Sequence, residues 1–469
     1  MRKIQIITVC LIAITIIHAQ PIHQKLEEKV KHFLADGQMK HAILGLYVVN
    51  SKTGKVVYDL NGQVGLAPAS TQKIFTAIAA LDTLGSHYRY KTPIGYSGQI
   101  QGDTLNGNLV VVGYGDPSLG SWRYPNTKMQ QVLHTITLAV SAAGIHTING
   151  DIVLDDSKFS YQPVPGGWPW ADVGNYYGSG TWALNWNENQ YDLLLNPGET
   201  EGDLVAIAGT KPWLPPTLSN LVTTGPKGSG DNTNIYMAPY ATTGLVDGTA
   251  PAGEKNFVVS GSMPYPADVL GKAIFDNLSA ANIQVQGRVI TGHQLFINKQ
   301  AVPSFNSSLL LIRSPSLDSL VYWFLQKSIN FYGETFARTI AFENIGIGAT
   351  QEGVDIIRNY WQAKGVEKSS LKMVDGSGLS PQNRVAAAAE VAALQYAKTA
   401  GWYSSFYNAL PTYNGTKMKS GTIGGVKGYA GYQTAADGSQ YTFSIIVNNY
   451  DGSVENVIQN MYGVLDVLK

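Results

Sequence analysis

The sequence predicts a multi-domain α/β (α+β) protein in which a large, mostly β insertion separates two parts of one mixed domain. Its 469 residues exceed what a single hydrophobic core usually holds, so two or three domains are expected. Helical periodicity occurs near both ends of the chain. Between about residues 90 and 287 the pattern changes to short apolar runs separated by Gly, Pro and Asn, which is typical of β-structure.

The first elements alternate between helix and strand. Residues 22–34 are predicted to be a helix, and residues 42–49 and 55–60 two strands joined by the turn at 51–54. Residues 70–84 then carry an apolar residue every three or four positions, which predicts an amphipathic helix. The apolar positions of that helix are Ile74, Phe75, Ile78, Leu81 and Leu84.

Helical periodicity returns after the insertion, and the chain ends in strands and one more helix. The expected helices share a repeat of three to four residues and lie at 317–325, 335–342, 385–398 and 454–468. The expected strands lie at 417–423, 426–434 and 441–448. The last two are joined across Asp437 and Gly438, a strong hairpin signal.

The N-terminus has the pattern of a secretory signal. Arg2 and Lys3 precede an apolar stretch at 4–17, and a cleavage site near Ala19 follows, so residues 1–19 are expected to be removed. An uncleaved anchor is the alternative, but the stretch is shorter than the roughly 20 residues that span a bilayer. We expect an exported protein, periplasmic or otherwise extracytoplasmic, with no membrane-spanning segment in the mature chain.

Composition excludes several classes of function. The chain has 33 basic and 33 acidic residues without a basic cluster, so nucleic acid is not an expected partner. Its single cysteine, Cys10, lies in the signal, so no disulfide is expected. The sequence has no H-E-x-x-H motif, and neither a metal nor another cofactor is predicted.

Ser70 and Lys73 form an S-x-x-K motif at the start of a predicted helix. Residues three apart share a helix face, so the Lys73 amine is expected to reach the Ser70 hydroxyl and deprotonate it. The alternative is an N-capping serine beside a solvated lysine. A second match, Ser369 and Lys372, lies near a Gly-rich segment without helical periodicity, and we expect no function there.

Two further motifs complete a recognisable set. Ser328 and Asn330 form an S-x-N motif between two predicted helices, and Lys419 begins a K-S-G triplet on a predicted strand. S-x-x-K, S-x-N and K-[ST]-G, in this order, are the motifs of penicillin-binding proteins and class A β-lactamases.

The residue types suit acyl transfer. Burial and nearby Lys419 are expected to lower the pKa of Lys73, so that its neutral amine takes the Ser70 proton. Ser328 can relay that proton to the leaving amine, and Asn330 can hold Lys73 and the substrate amide.

The K-S-G strand would supply the remaining donors. The backbone N–H groups of Ser70 and Thr422 are the expected oxyanion donors. Lys419, Ser420 and Thr422 offer positive charge and hydroxyls to a terminal carboxylate. Other nucleophile schemes are disfavoured, because G-x-S-x-G is absent and every histidine lies at or before His293.

These motifs resemble those of the class C low-molecular-mass penicillin-binding proteins, the D-alanyl-D-alanine carboxypeptidase/endopeptidase family S13. Ser70 and Ser328 are roughly 250 residues apart, the long spacing of that family. Further similar stretches lie at 115–119, 150–156, 167–172, 183–189 and 375–380.

The resemblance implies a transpeptidase-like, β-lactamase-like domain, an antiparallel sheet flanked by helices. This domain would comprise residues 20–90 and 288–469. The insertion, 91–287, would form two smaller nested domains, the inner one at roughly 115–200.

The resemblance also implies an activity. It implies hydrolysis of the terminal D-Ala-D-Ala bond of peptidoglycan stem peptides, and of some cross-links, through an acyl-enzyme on Ser70, with β-lactams as covalent inhibitors. A homodimer is possible. The remaining implied site residues are the base Lys73, the relay pair Ser328 and Asn330, the strand residues Lys419 and Thr422, and substrate contacts at Ser420, Gly421, Asp155 and Leu379.

Some positions depart from the family or stay open. Serine replaces the usual threonine at Ser420, and Pro381 stands where arginine is frequent, which affects contacts to the stem-peptide side chain. Asp155 would meet the free amine of that side chain, and a buried structural role is the alternative.

Two other functions remain as alternatives. A β-lactamase is disfavoured because no E-x-x-L-N segment exists and Ser328 replaces the tyrosine of class C enzymes. A non-catalytic penicillin sensor or wall-binding protein would keep the fold without turnover.

Overall fold

The computed structural model describes residues 21–214 and 217–469, and the predicted signal at 1–19 lies outside them. None of the helices in the described part of the chain combines the length and apolar character needed to cross a membrane. The α-helices are α1 (Ile22–Leu34), α2 (Lys73–Thr83), α3 (Met129–Ala142), α4 (Trp170–Val173), α5 (Pro266–Ala280), α6 (Gly292–Ile297), α7 (Leu317–Gln326), α8 (Asn330–Ile345), α9 (Thr350–Ala363), α10 (Ala387–Ala397), α11 (Tyr403–Ala409) and α12 (Val454–Leu465).

The strands fall into two groups along the chain. Those from the two ends are β1 (Ile43–Asn50), β2 (Val56–Leu60), β3 (Gly65–Leu66), β20 (Leu371–Lys372), β21 (Arg384–Ala386), β22 (Thr412–Tyr413), β23 (Thr416–Ile423), β24 (Val426–Thr434) and β25 (Gln440–Asn448). Those between them are β4 (Lys91–Tyr96), β5 (Gln99–Gln101), β6 (Thr104–Asn106), β7 (Leu109–Val112), β8 (Thr147–Ile148), β9 (Ile152–Asp155), β10 (Gln190–Asn196), β11 (Ala206–Lys211), β12 (Thr217–Asn220), β13 (Thr223–Gly225), β14 (Asn232–Tyr236), β15 (Thr243–Pro251), β16 (Phe257–Ser262), β17 (Gln284–Val285), β18 (Val289–Thr291) and β19 (Ser307–Arg313).

A six-stranded antiparallel sheet unites the two ends of the chain. Its order is β2-β1-β25-β24-β23-β22, and β1 pairs with β25 from Ile43 opposite Asn448 to Asn50 opposite Tyr441. One face packs on α1 and α12, while β24 packs from the other face into the core of α2 and α7 to α11. The predicted sheet flanked by helices is confirmed.

Helix α2 lies at the centre of that core, and its residues from Lys73 to Leu81 are all buried. Small and apolar side chains on every side allow this, because a helix that is apolar all round can be enclosed. The prediction of a helix from residue 70 needs one correction. A 3₁₀ turn, Ala69–Gln72, comes first, so Ser70 lies in the turn and Lys73 begins the α-helix.

The insertion is largely β, as predicted, with sheets of order β18-β9-β7-β4-β19, β17-β8-β6-β5 and β11-β10-β16 and a fourth around β15. The long helices α3 and α5 were not predicted. They pack their buried apolar residues into the same core as these strands. Strands β18 and β19 pair with β9 and β4, so strand pairing continues past residue 287 as far as Arg313. The domain limits stay a prediction.

Candidate active site

The three sequence motifs meet at the N-terminal end of α2. The Lys73 Nζ atom lies 2.9 Å from Ser70 Oγ and 2.6 Å from Asn330 Oδ1, which joins the first motif to the second. The Lys419 Nζ atom on β23 lies 2.9 Å from Ser328 Oγ, which joins the second motif to the third. Asn330 is the first residue of α8, which therefore begins five residues before the predicted 335.

Lys73 is fully buried, and its amine makes three hydrogen bonds. The third goes to the carbonyl oxygen of Ser377 at 2.7 Å. Burial lowers the pKa of Lys73 to about 7, although Asp375 and Glu334 act in the opposite direction. A neutral amine keeps two N–H donors, enough for Asn330 and Ser377, and turns its lone pair to the Ser70 hydroxyl.

Lys419 is a second buried lysine beside the first. Its Nζ atom also donates to the carbonyl oxygen of Ser420 at 2.8 Å. Burial lowers the pKa of Lys419 well below its usual range, and repulsion from Lys73 and Lys427 lowers it further. The sequence predicts that burial and the charge of Lys419 together lower the pKa of Lys73. In the structure, burial is the largest cause of the lowered pKa of both Lys73 and Lys419.

Two non-glycine residues at the site have left-handed backbone conformations. Ala69, directly before Ser70, has φ +49°, and Ser328 has φ +56°. Such conformations are uncommon for residues with a β-carbon and cluster at functional sites. Here they orient the turn that carries Ser70 and the loop that carries the second hydroxyl.

Strand β23 lies directly against the Ser70 turn. A β-carbon added at Gly421 would lie 2.5 Å from the carbonyl oxygen of Pro68 and 2.9 Å from the backbone nitrogen of Ser70. No side chain can be accommodated at such distances, so glycine permits the contact between strand and turn.

A buried carboxyl group ties the same turn to the sheet. Glu390 on α10 accepts hydrogen bonds from Thr71 Oγ1 at 2.5 Å and from Ser444 Oγ on β25 at 2.7 Å. Burial raises the pKa of Glu390 to about 7. Glu390 therefore links the Ser70 turn to β25.

The segment 375–380 supplies the carbonyl that holds Lys73. It is organised by the buried Asp375 carboxylate, which accepts hydrogen bonds from Gln72 Nε2 at 3.0 Å and Trp168 Nε1 at 2.9 Å. The same carboxylate accepts from the backbone of Gly378 at 2.8 Å and of Ser380 at 2.7 Å. This network fixes the position of the Ser377 carbonyl.

The predicted substrate contacts occupy different surroundings. Ser420 Oγ lies 3.1 Å from Tyr413 OH, and the exposed Thr422 accepts a hydrogen bond from Lys427. Leu379 is buried and packs in a small apolar cluster with Trp168 and Val173. Its role in substrate binding stays a prediction.

Asp155 lies at the end of β9, and its carboxylate binds locally. One oxygen accepts from the backbone nitrogen of Ser157 at 3.0 Å and from its hydroxyl at 2.5 Å, and Lys158 Nζ lies 3.8 Å from the other. These contacts fit the structural alternative, and its substrate role stays a prediction.

Asp172 and Tyr177 were not singled out from the sequence, although both lie near the motif residues. Asn330 Nδ2 donates to the carbonyl oxygen of Tyr177 at 2.8 Å, and the Tyr177 hydroxyl lies 3.4 Å from Asp172 Oδ1. Burial raises the pKa of Asp172. Asp172 ends the stretch 167–172, which resembles the family, but no motif marks this aspartate as a residue of the site.

The second S-x-x-K match has a different geometry. Ser369 lies in a short 3₁₀ turn and its hydroxyl binds Glu367, whereas Lys372 is exposed on β20. The pair therefore shares no α-helical turn, and Lys372 is not buried as Lys73 is.

The geometry of the site by itself defines a class of protein. The Ser70 hydroxyl lies beside a buried amine, Lys73, whose pKa is lowered to about 7, and a second hydroxyl and a second lysine, Ser328 and Lys419, adjoin them. This is the arrangement of a serine acyl-transfer enzyme. In the described part of the chain no cluster of three or more His, Cys, Asp or Glu side chains could hold a metal ion.

Comparison with known proteins gives the family. Residues 26–467 match the D-Ala-D-Ala carboxypeptidase 3 (S13) family, so the chain belongs to this family of serine peptidases. A D-alanyl-D-alanine carboxypeptidase of Actinomadura sp. (strain R39) is 26% identical over 99% of this chain and 90% of its own length. The D-alanyl-D-alanine carboxypeptidase DacB of Haemophilus influenzae is 26% identical over 88% of this chain and 87% of its own length.

Solved structures share the fold. The crystal structure of penicillin binding protein 4 (dacB) from Haemophilus influenzae matches with a TM-score of 0.77 at 24% identity, covering 94% of this chain and 97% of that one. The same protein complexed with a novel β-lactam matches with a TM-score of 0.73 at 23% identity, over 95% of this chain and 99% of that one. The resemblance stated from the motifs is confirmed.

Proposed function

We propose that the protein removes the terminal D-alanine from peptidoglycan stem peptides through an acyl-enzyme on Ser70. One observation carries the proposal: the fully buried Lys73 amine lies 2.9 Å from the Ser70 hydroxyl and has a pKa of about 7. The family and the two carboxypeptidase relatives support the substrate class. The predicted signal at 1–19 supports export to the periplasm or another extracytoplasmic space.

Acylation begins with the neutral Lys73 amine, which takes the Ser70 proton as the oxygen attacks the carbonyl carbon of the D-Ala-D-Ala bond. General base assistance of this kind is worth roughly 10² to 10⁴ in rate. The negative charge that forms on the carbonyl oxygen is stabilised by the backbone N–H groups of Ser70 and Thr422. Each donor of this type contributes roughly 10² to 10³.

Collapse of this intermediate breaks the C–N bond and leaves an ester on Ser70. The departing D-alanine nitrogen needs a proton, which travels from Lys73 by way of the Ser328 hydroxyl. Lys419 holds that hydroxyl at 2.9 Å. Water then attacks the ester and gives a proton to the neutral Lys73 amine, which passes it to the Ser70 oxygen as the ester C–O bond breaks. The shortened peptide leaves as a carboxylic acid, and the Ser70 hydroxyl is regenerated.

A Ser70→Ala variant tests the proposal. The wild type should bind a fluorescent penicillin covalently and release D-alanine from diacetyl-L-Lys-D-Ala-D-Ala, and the variant should do neither. Ser369→Ala is the matched control, because it alters the other S-x-x-K serine and should leave both activities unchanged. Labelling without peptide turnover in the wild type would favour the penicillin sensor, and rapid release of hydrolysed penicillin would favour a β-lactamase.

Digestion of purified peptidoglycan resolves the finer question of substrate. Mass separation of the products shows whether cross-links are cut or only terminal D-alanine is lost. The same purified protein, analysed by size and mass in solution, tests the possible homodimer.

A further inference from the structure

Lys427 is a buried cation next to the strand that is expected to bind the substrate carboxylate. It lies on β24 directly opposite Thr422 on β23, and the residue is 7% exposed. Its Nζ atom lies 2.8 Å from Thr422 Oγ1. None of the three motifs includes this residue.

No carboxylate neutralises this lysine in the described part of the chain. The ion pairs within residues 21–214 and 217–469 do not include it. Glu455 on α12 attracts it without forming an ion pair, and the Tyr429 ring lies 4.8 Å from its Nζ. A buried charge is costly unless it is paired, so this arrangement favours an anion that arrives from outside.

The hydrogen bond to Thr422 also leaves a donor free. An ammonium group only donates, so Thr422 Oγ1 is the acceptor in this bond and its own hydroxyl proton is not used by it. Thr422 is exposed, so an incoming ligand can reach that proton. One ammonium and one hydroxyl are thus available side by side to a carboxylate, whose oxygens accept several hydrogen bonds.

We propose that Lys427 binds the C-terminal carboxylate of the substrate directly, together with the hydroxyl of Thr422. The inference rests on the proposed function and deepens it, because it names the group that selects substrates with a free C-terminal carboxylate. Lys427 orients the peptide end and takes no part in proton transfer at Ser70.

The test compares two substrates in the wild type and three variants. The substrates are diacetyl-L-Lys-D-Ala-D-Ala and the same peptide with a C-terminal carboxamide, and the readout is kcat/KM for release of D-alanine or D-alaninamide. Lys427→Met should lower kcat/KM for the free acid by roughly 10- to 100-fold, the usual scale of a charged hydrogen bond. It should change kcat/KM for the carboxamide by no more than about twofold.

Lys427→Arg and Lys417→Met are the comparison variants. The arginine keeps the charge and should retain most of the preference for the free acid, and it guards against a methionine variant that does not fold. Lys417 lies on β23 and donates to the carbonyl oxygen of Leu410 at 2.9 Å, so its loss removes a nearby cation without touching Thr422. That control should keep the wild-type preference.

A pH series gives a second readout. Burial lowers the pKa of Lys427 to about 8, with Glu455 acting in the opposite direction, while Lys419 and Tyr429 are its other titratable neighbours. The ratio of kcat/KM for acid over carboxamide cancels steps common to both substrates. This ratio should fall in the wild type as the pH rises through about 8, because Lys427 then loses its charge. It should stay constant in Lys427→Arg, whose guanidinium remains charged.

The outcomes separate this inference from the proposed function. If Lys427→Met lowers both substrates equally, or neither, the carboxylate contact is refuted while the acyl-enzyme on Ser70 stands. If Lys427→Arg loses the preference for the free acid as completely as Lys427→Met does, the carboxylate contact is also contradicted. If the wild type neither cleaves the peptide nor takes up penicillin, the proposed function fails.

Discussion

Replacing Lys73 by arginine tests whether a neutral amine activates Ser70. Arginine preserves the positive charge and the donors, but it does not lose its proton in proteins. With a pKa of about 7, Lys73 is roughly three-quarters neutral at pH 7.5, whereas a solvated lysine is neutral in about one molecule in a thousand. An arginine at this position would be neutral in fewer than about one in 10⁵.

The expected effect follows from this difference. Lys73→Arg should slow acylation by about 10² to 10⁴, the range of general base assistance. The wild-type rate should rise as the pH increases through about 7, because the folded protein releases the Lys73 proton there. The assay is the rate of covalent labelling by a fluorescent penicillin between pH 5 and 9.

Lys372→Arg is the matched control, since Lys372 belongs to the other S-x-x-K match and is exposed. It should label at the wild-type rate throughout. A Lys73→Arg protein within tenfold of the wild type, or a wild-type rate that does not change between pH 6 and 8, would refute the role of Lys73 as base.

Three further predictions concern the surroundings of the site. Gly421→Ala should lower kcat/KM at least about tenfold, because its β-carbon would press on the Ser70 turn, whereas Gly424→Ala, with open space around it, should not. Arg338→Met should lower the free energy of unfolding by about 2–5 kcal/mol in urea titrations, because several buried carbonyl oxygens lose their donor. Burial raises the pKa of Glu390 from 4.5 to about 7, so the folded protein keeps a proton that the unfolded chain loses across this window. The free energy of unfolding should therefore fall by up to about 3 kcal/mol between these pH values, and Glu390→Gln should abolish that part of the decrease; equal pH dependence in both proteins would contradict it.

Local patterns predicted the elements that frame the site. Helix α1 has the predicted bounds, and β24 does as well, because amphipathic periodicity and a strong turn signal are properties of short segments. The spacing of Ser70 and Lys73 also predicted their contact correctly, although the turn that holds Ser70 is 3₁₀. The left-handed backbone conformation of Ala69 could not be predicted, because the residues that commonly adopt it, and so indicate it in a sequence, are Gly and Asn.

Two helices and two polar residues near the site were not predicted from the sequence. Helices α3 and α5 lie in an insertion whose short apolar runs, separated by Gly, Pro and Asn, indicate β-structure as a whole. Asp172 and Lys427 belong to none of the recognised motifs, although each contacts a residue only five positions away, Tyr177 and Thr422.

The pairing of β1 with β25 has a consequence for biosynthesis. Residues 43–50 of β1 can pair with β25 only after residues 441–448 have left the ribosome. The six-stranded sheet therefore cannot form completely until translation is almost finished. A polypeptide that stops before β25 would contain Ser70 and Lys73 and yet lack the strand that joins its first and last segments. Premature termination should therefore yield no partly active fragments.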